Sequence, residues 1–163
     1  MKITKVQTAF VEVPADEPLA NGPAEKGAVR KLIGVKISTD QGLQGISVAF
    51  FGGGVTPALK SAIDSLGSLS VGMDPLAIEP IHAKFREAGS HAGPGGIFTL
   101  ASSAIDIALW DIKGKATNMS LANMVGGHRD RVVTYASGAL MRGYTNDHCV
   151  KAAPKLVEKG FRQ

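Results

Sequence analysis

Asp106 and Asp111 are the pair of acids in this 163-residue sequence whose spacing first suggests chemistry, since paired carboxylates can grip a cation or share acid–base work. Both fall in Thr99 to Ala116, a run with helical periodicity. Five residues along a helix is a rotation of about 140°. The two carboxylates therefore diverge, and hydrogen bonding or packing at the helix surface is expected of them. Asp147-His148-Cys149 contains acid, base and nucleophile types, but adjacent helical residues point in different directions and triads are assembled in space. Capping a helix is the expected role of Asn146 and Asp147. Gly52-Gly53-Gly54 precedes a helix as a phosphate cradle does, yet the Gly-Lys-Ser/Thr of that motif is missing, so a lid loop is the better account. His91 lies between Gly89 and Gly96 and reads as a solvated loop histidine. No cluster of acids and bases is spaced to hold a divalent cation.

The elements that would position such residues follow from patterning. Hydrophobic residues make up 44% of the chain and charged residues 20%, as in ordinary globular domains. No apolar run is long enough to span a membrane. The start, Met1-Lys2-Ile3-Thr4-Lys5, lacks the apolar block of a signal peptide. A single cysteine, Cys149, permits no intrachain disulfide, and a reducing, cytoplasmic location is expected. The net charge of +4 is spread along the chain, which argues against nucleic acid as a partner.

Ile3 to Val13, Val29 to Ser38 and Leu43 to Val48 read as strands, the last two joined by the turn Thr39-Asp40-Gln41-Gly42 as an antiparallel pair. Pro14 to Gly27 reads as a long loop. Thr56 is placed to cap a helix with Pro57 at its first position, and Leu59, Ala62, Ile63, Leu66 and Leu69 recur at helical spacing. Asp74-Pro75 suggests a second helix start, with Ile78, Ile81 and Phe85 on one face. In the third helix Ala101, Ala104, Ile105, Ala108, Leu109 and Ile112 form a smooth stripe that lets another element approach closely. Three strands followed by three helices is an α+β arrangement, a three-stranded antiparallel sheet with a helical bundle. Val132 to Ala136 then reads as a strand, Gly138 to Tyr144 as a loop and Asn146 to Lys159 as a helix ended by Gly160, with Pro154 expected to kink or break it. One strand–helix unit cannot bury both faces of its strand.

The run Ala101-Ser102-Ser103-Ala104-Ile105-Asp106-Ile107-Ala108-Leu109-Trp110-Asp111-Ile112-Lys113-Gly114-Lys115, continuing through Ser120-Leu121 to Val125-Gly126-Gly127, resembles the signature helix of the mandelate racemase and muconate lactonizing enzyme family of the enolase superfamily. The resemblance extends along the whole chain. It implies a capping domain over 1–128 and, over 129–163, the first strand–helix unit of an incomplete TIM-like barrel, with Gly127 to Arg131 as a charged linker and Trp110 packing between cap and barrel. Members remove a proton alpha to a carboxylate with Mg²⁺, using acidic ligands and often a Lys-x-Lys base on later barrel strands, none of which is present here. The resemblance thus implies no metal or cofactor held by this chain, Mg²⁺ in a complete parent, and a small carboxylate substrate there.

It also implies that two capping loops close over that substrate. Leu19, Ala20, Asn21 and Gly22 would fall in the first; Phe50 to Gly54 form the second, where Phe50 and Phe51 would shape an apolar wall. Asn21 is suited to bonding a polar substrate group. Ser137, after the first barrel strand, matches a position where serine contacts the substrate carboxylate; its hydroxyl can donate one hydrogen bond. The alternative is that these are ordinary loop residues. The expected function is the N-terminal portion of an acid-sugar dehydratase or racemase, inactive alone; a freestanding, non-catalytic capping domain acting as a binding module is the alternative. Unpaired strand edges predict self-association.

Overall fold

The structure is a computed structural model that describes residues 1–14, 29–50, 53–136 and 145–162. Three strands, β1 (Ile3–Pro14), β2 (Val29–Thr39) and β3 (Gln44–Ala49), form one antiparallel sheet in the order β1-β2-β3. The β2–β3 register runs from Ile33 opposite Ala49 to Ser38 opposite Gln44. Gly42 closes the intervening turn at φ 81°, a backbone angle that glycine adopts without strain. Alternation puts Ile33, Val35 and Ile37 of β2 inside, where each is fully buried.

A short 3-10 turn (Gly53–Val55) leads into helix α1 (Thr56–Ser70), followed by α2 (Ile78–Ala88), α3 (Gly96–Thr117) and the single turn α4 (Leu121–Met124). The predicted faces are the buried ones: Leu59, Ile63 and Leu66 of α1, Ile78, Ile81 and Phe85 of α2, and the whole Ala101–Ile112 stripe of α3. Each large aliphatic or aromatic side chain so buried contributes roughly 1.5–3 kcal/mol. The helix starts differ from expectation. Thr56 is inside α1, and its hydroxyl donates to the Gly53 carbonyl at 2.7 Å instead of capping. Asp74-Pro75 forms a turn rather than a helix start: Asp74 Oδ1 accepts from Leu76 N at 3.0 Å and its carbonyl from Ala77 N at 3.1 Å, so α2 begins only at Ile78. Thr99 lies within α3 and accepts from Gly95 N at 2.9 Å, holding the helix entrance that sequence placed at Thr99 itself.

The smooth stripe of α3 meets β3. A Cβ at Gly45 would collide with the Ala108 carbonyl oxygen and the Ile112 side chain, so glycine on the strand and alanine on the helix let two backbones nearly touch. Ser47, buried one residue pair along, donates to the Ala104 carbonyl across the same contact.

The chain divides into two compact units, Met1–Val11 with Lys31–His128, and Glu12–Arg30 with Arg129–Gln163. In the second unit helix α5 (Asn146–Glu158) buries Ala152 and Leu156. Thr145, not Asn146 or Asp147, is its cap, accepting from His148 N at 3.2 Å. The helix runs on through Pro154; the Val150 carbonyl that proline cannot reach belongs to an exposed residue, where water can bond it. Gly160 ends the helix at φ 97°, with Phe161 N bonded to Leu156 O at 3.1 Å and Gly160 N to Val157 O at 3.0 Å. The expected strand at Val132–Ala136 is not formed. No strand of the described residues is hydrogen-bonded to it, and Val132, Val133 and Tyr135 are 72%, 80% and 67% exposed.

Candidate functional site

Of the residues expected in the substrate loops, Leu19, Ala20, Asn21, Gly22 and Phe51 lie outside the described residues, as does Ser137. Phe50 is described. It directly follows β3 and continues the alternation of that strand onto the side away from Gly45, Ser47 and Ala49, in line with exposed Ile46 and Val48. Gly34 stands opposite Val48, and a Cβ there would come within 3.2 Å of Val11 Cγ2, so Val11 borders the same row. Phe50 is thus the end of an apolar row on the outer sheet face, 55% exposed, a position from which a ring can form a wall.

One polar group that sequence reasoning missed lies between α2 and α3. His82 of α2 faces α3, with Nε2 2.8 Å from Asp106 Oδ1 and Nδ1 3.2 Å from Ser102 Oγ. Protonation on Nε2 satisfies all three groups: Nε2–H donates to Asp106 and Nδ1 accepts from the Ser102 hydroxyl. The Phe85 ring, one helical turn on, meets the imidazole edge-on at 5.9 Å. Ser102 and Asp106 are four residues apart and share a helix face. They line a groove of about 750 Å³ between α2 and α3 together with Glu79, Arg86, Trp110 and Lys113. Serine, histidine and aspartate are the types of a hydrolytic triad. Ser102, however, sits in the second turn of α3, where the neighbouring backbone N–H groups are spent in helix bonds and not free to hold an oxyanion. The arrangement ties two helices together and does not build an acyl-transfer site.

Asp111 turns elsewhere, as its rotation from Asp106 requires. Its Oδ2 accepts from Ile46 N at 2.9 Å and from Lys115 Nζ at 2.6 Å, while Lys115 also donates to the Gln44 carbonyl at 2.7 Å. These are outward-facing backbone groups of edge strand β3. The pair closes that edge, which would otherwise present open donors and acceptors to another chain. Asp64 on α1 accepts from the side-chain hydroxyl of Thr8 on β1 and from Lys60 Nζ at 2.8 Å. Burial pushes its carboxyl up, but hydrogen bonds from Lys60 and Thr8 and the charge of Lys60 outweigh this and hold it below the usual carboxylate range. His91 is exposed in the turn after α2. Trp110 is half-buried with Lys113 Nζ 4.8 Å above its ring. Among the described residues no three His, Cys, Asp or Glu side chains converge, so they do not fit a Mg²⁺ site.

The fold and the signature helix point to a class: residues 5–126 match the model of the mandelate racemase / muconate lactonizing enzyme N-terminal domain, and the chain belongs to that family. Among its relatives is the D-galactonate dehydratase family member RspA of Cellvibrio japonicus, 38% identical over 82% of this chain and 32% of that protein. The L-talarate/galactarate dehydratase of Salmonella typhimurium is 31% identical over 82% of this chain and 35% of its own. The crystal structure of L-talarate dehydratase from a Polaromonas species, complexed with Mg and L-glucarate, superposes with a TM-score of 0.81 at 26% identity, over 98% of this chain and 42% of that one. The chain thus spans about a third of the length of the curated relatives it matches.

Proposed function

We propose that this chain is the capping portion of an acid-sugar dehydratase or racemase of the enolase superfamily, and that by itself it does not turn over the substrate. The observation that carries the reading is the family match over residues 5–126 combined with relatives that are acid-sugar dehydratases. Relatives crystallised with L-glucarate and with L-malate point to a small carboxylate substrate. In this reading residues 1–128 form the cap and 129–163 the first strand–helix unit of the catalytic barrel. The complete enzyme removes a proton alpha to a carboxylate in a Mg²⁺-dependent reaction. In this reading the metal ligands of the complete enzyme lie outside this chain, in keeping with the family resemblance.

What the chain contributes is enclosure and recognition. Phe50, with Phe51 beside it, walls the substrate and excludes water. Ala20 and Asn21 complete the lid, Asn21 bonding a polar substrate group, and the Ser137 hydroxyl donates to the carboxylate. Cytoplasmic residence accords with the single free cysteine, Cys149. The test is to incubate the purified chain with Mg²⁺ and a panel of acid sugars, including galactonate, talarate, galactarate and mannonate, and to follow dehydration and epimerisation by mass spectrometry and NMR. No turnover above background is expected. Mg²⁺-dependent turnover abolished by a substitution within residues 1–163 would overturn the reading.

A further inference from the structure

We infer that residues 89–95 form a strap latched on the ring of Phe98, which opens as a unit while the sheet and the helices stay folded. The inference is independent of the family reading. The strap joins α2 to α3 and has glycine at both ends. Gly89 follows α2, its N–H donating to the Phe85 carbonyl at 2.8 Å. Gly95 and Gly96, at the entrance of α3, stand at φ 125° and 54°, angles that glycine adopts without strain. Such positions can absorb the backbone rotations of a hinge.

Between these hinges the hydrogen bonds are local. Ser90 N donates to the Glu87 carbonyl at 3.3 Å, Ala92 N and Gly93 N both donate to the Gly89 carbonyl at 2.9 Å, and Gly95 N donates to Thr99 Oγ at 2.9 Å. None of these bonds reaches the sheet or α1. Ser90, His91, Ala92, Pro94 and Gly95 are exposed, and only Gly89 and Gly93 are half-buried. Those two are the residues that lie against Phe98: a Cβ at either would overlap its ring. Phe98 itself is rooted in the first turn of α3 and packs on the core. The burial of the strap therefore runs through one ring. Beside it lies an apolar hollow of about 650 Å³, lined by Ala62 and Leu66 of α1, Ala88 of α2 and Ile97 and Phe98 of α3 together with the strap. Segments with few buried apolar contacts and solvent-exposed backbone bonds open well before the fold does. Release of the Phe98 ring frees the strap about its glycine ends and uncovers the hollow.

The test is native-state hydrogen–deuterium exchange on the full 163-residue chain in low concentrations of urea, read by NMR. The amides of Ala92, Gly93 and Gly95 are compared with those of Ile105 to Leu109 in α3. The strap amides should exchange together, about a hundredfold faster than those of α3. Their rates should be indifferent to low urea, since a local opening exposes little surface. Phe98→Leu keeps an apolar side chain but loses the ring, and should speed the strap amides about tenfold. Gly93→Ala should act in the same direction by pressing a methyl group on the intact ring. Because this second variant keeps Phe98 in the core, it decides the matter even where Phe98→Leu weakens the whole fold. Strap amides that exchange only in step with Ile105 to Leu109 overturn the inference. So do strap amides that open separately from one another, and so do rates that neither substitution moves.

Discussion

β2 and residues 132–136 are written in the same residue types and end in opposite states. Ile33, Val35 and Ile37 of β2 are 0%, 2% and 0% exposed, paired with β3 and covered by helices, while Val132 and Val133 lie open to solvent with no ladder. Strand propensity expresses fit to a pleated, covered surface rather than a backbone preference. The difference is made by what lies alongside. β2 has β1 and β3 as neighbours, whereas no strand of the described residues pairs with 132–136.

The contrast can be broken most severely at the covering layer. Gly45→Val would drive a branched side chain into the Ala108 carbonyl, pushing α3 off β3. A loss of roughly 3 kcal/mol or more is expected in urea unfolding, at the upper end of overpacking effects. Phe85→Ala should cost about 3–5 kcal/mol by leaving a cavity in the core, while Val133→Ala should stay within about 0.5 kcal/mol; equal costs would erase the distinction between the two regions. Asp111→Ala leaves the Ile46 N–H and Lys115 without their acceptor, at about 1–2 kcal/mol. It also opens the β3 edge, so concentration-dependent association should rise in sedimentation velocity runs.

The smallest effect is at Asp64. Its carboxyl titrates lower in the folded chain than in the unfolded one, so the unfolded state takes up the proton first as pH falls. The stabilisation is whole above the unfolded carboxylate value of about 3.9 and is lost as pH drops through the lower folded value. The Asp64 side chain is 46% exposed, so solvent screening leaves only a few tenths of a kcal/mol. Asp64→Asn should slightly flatten the fall in stability below about pH 4.

Much of this fold was legible because its signals are periodic. The alternation of β2 and the stripes of α1, α2 and α3 mark the core faces correctly, and the small residues of α3 anticipate a close approach whose partner is Gly45. Helix starts were harder, since Thr56 and Asp74 can each bond more than one nearby backbone group and sequence does not say which. The tie at His82 was invisible for another reason. Ser102 and Asp106 share a face by spacing, but their partner is 20 and 24 residues away on another helix, and only packing brings it there. By propensity the segment 132–136 reads as a strand that lacks neighbours; without a pairing strand among the described residues it forms no ladder. Of the expected substrate-loop residues Phe50, Gly53 and Gly54 are described, and the exposed place of Phe50 at the end of β3 follows from simple alternation.

Residue-resolved hydrogen–deuterium exchange on the dilute, isolated chain tests the contrast most directly. Amides of Ile33 to Ile37 should exchange only with global unfolding, and those of Val132 to Ala136 at the rate of an unstructured peptide. Protection of 132–136 comparable to that of β2, in a chain shown to be monomeric, would contradict the account.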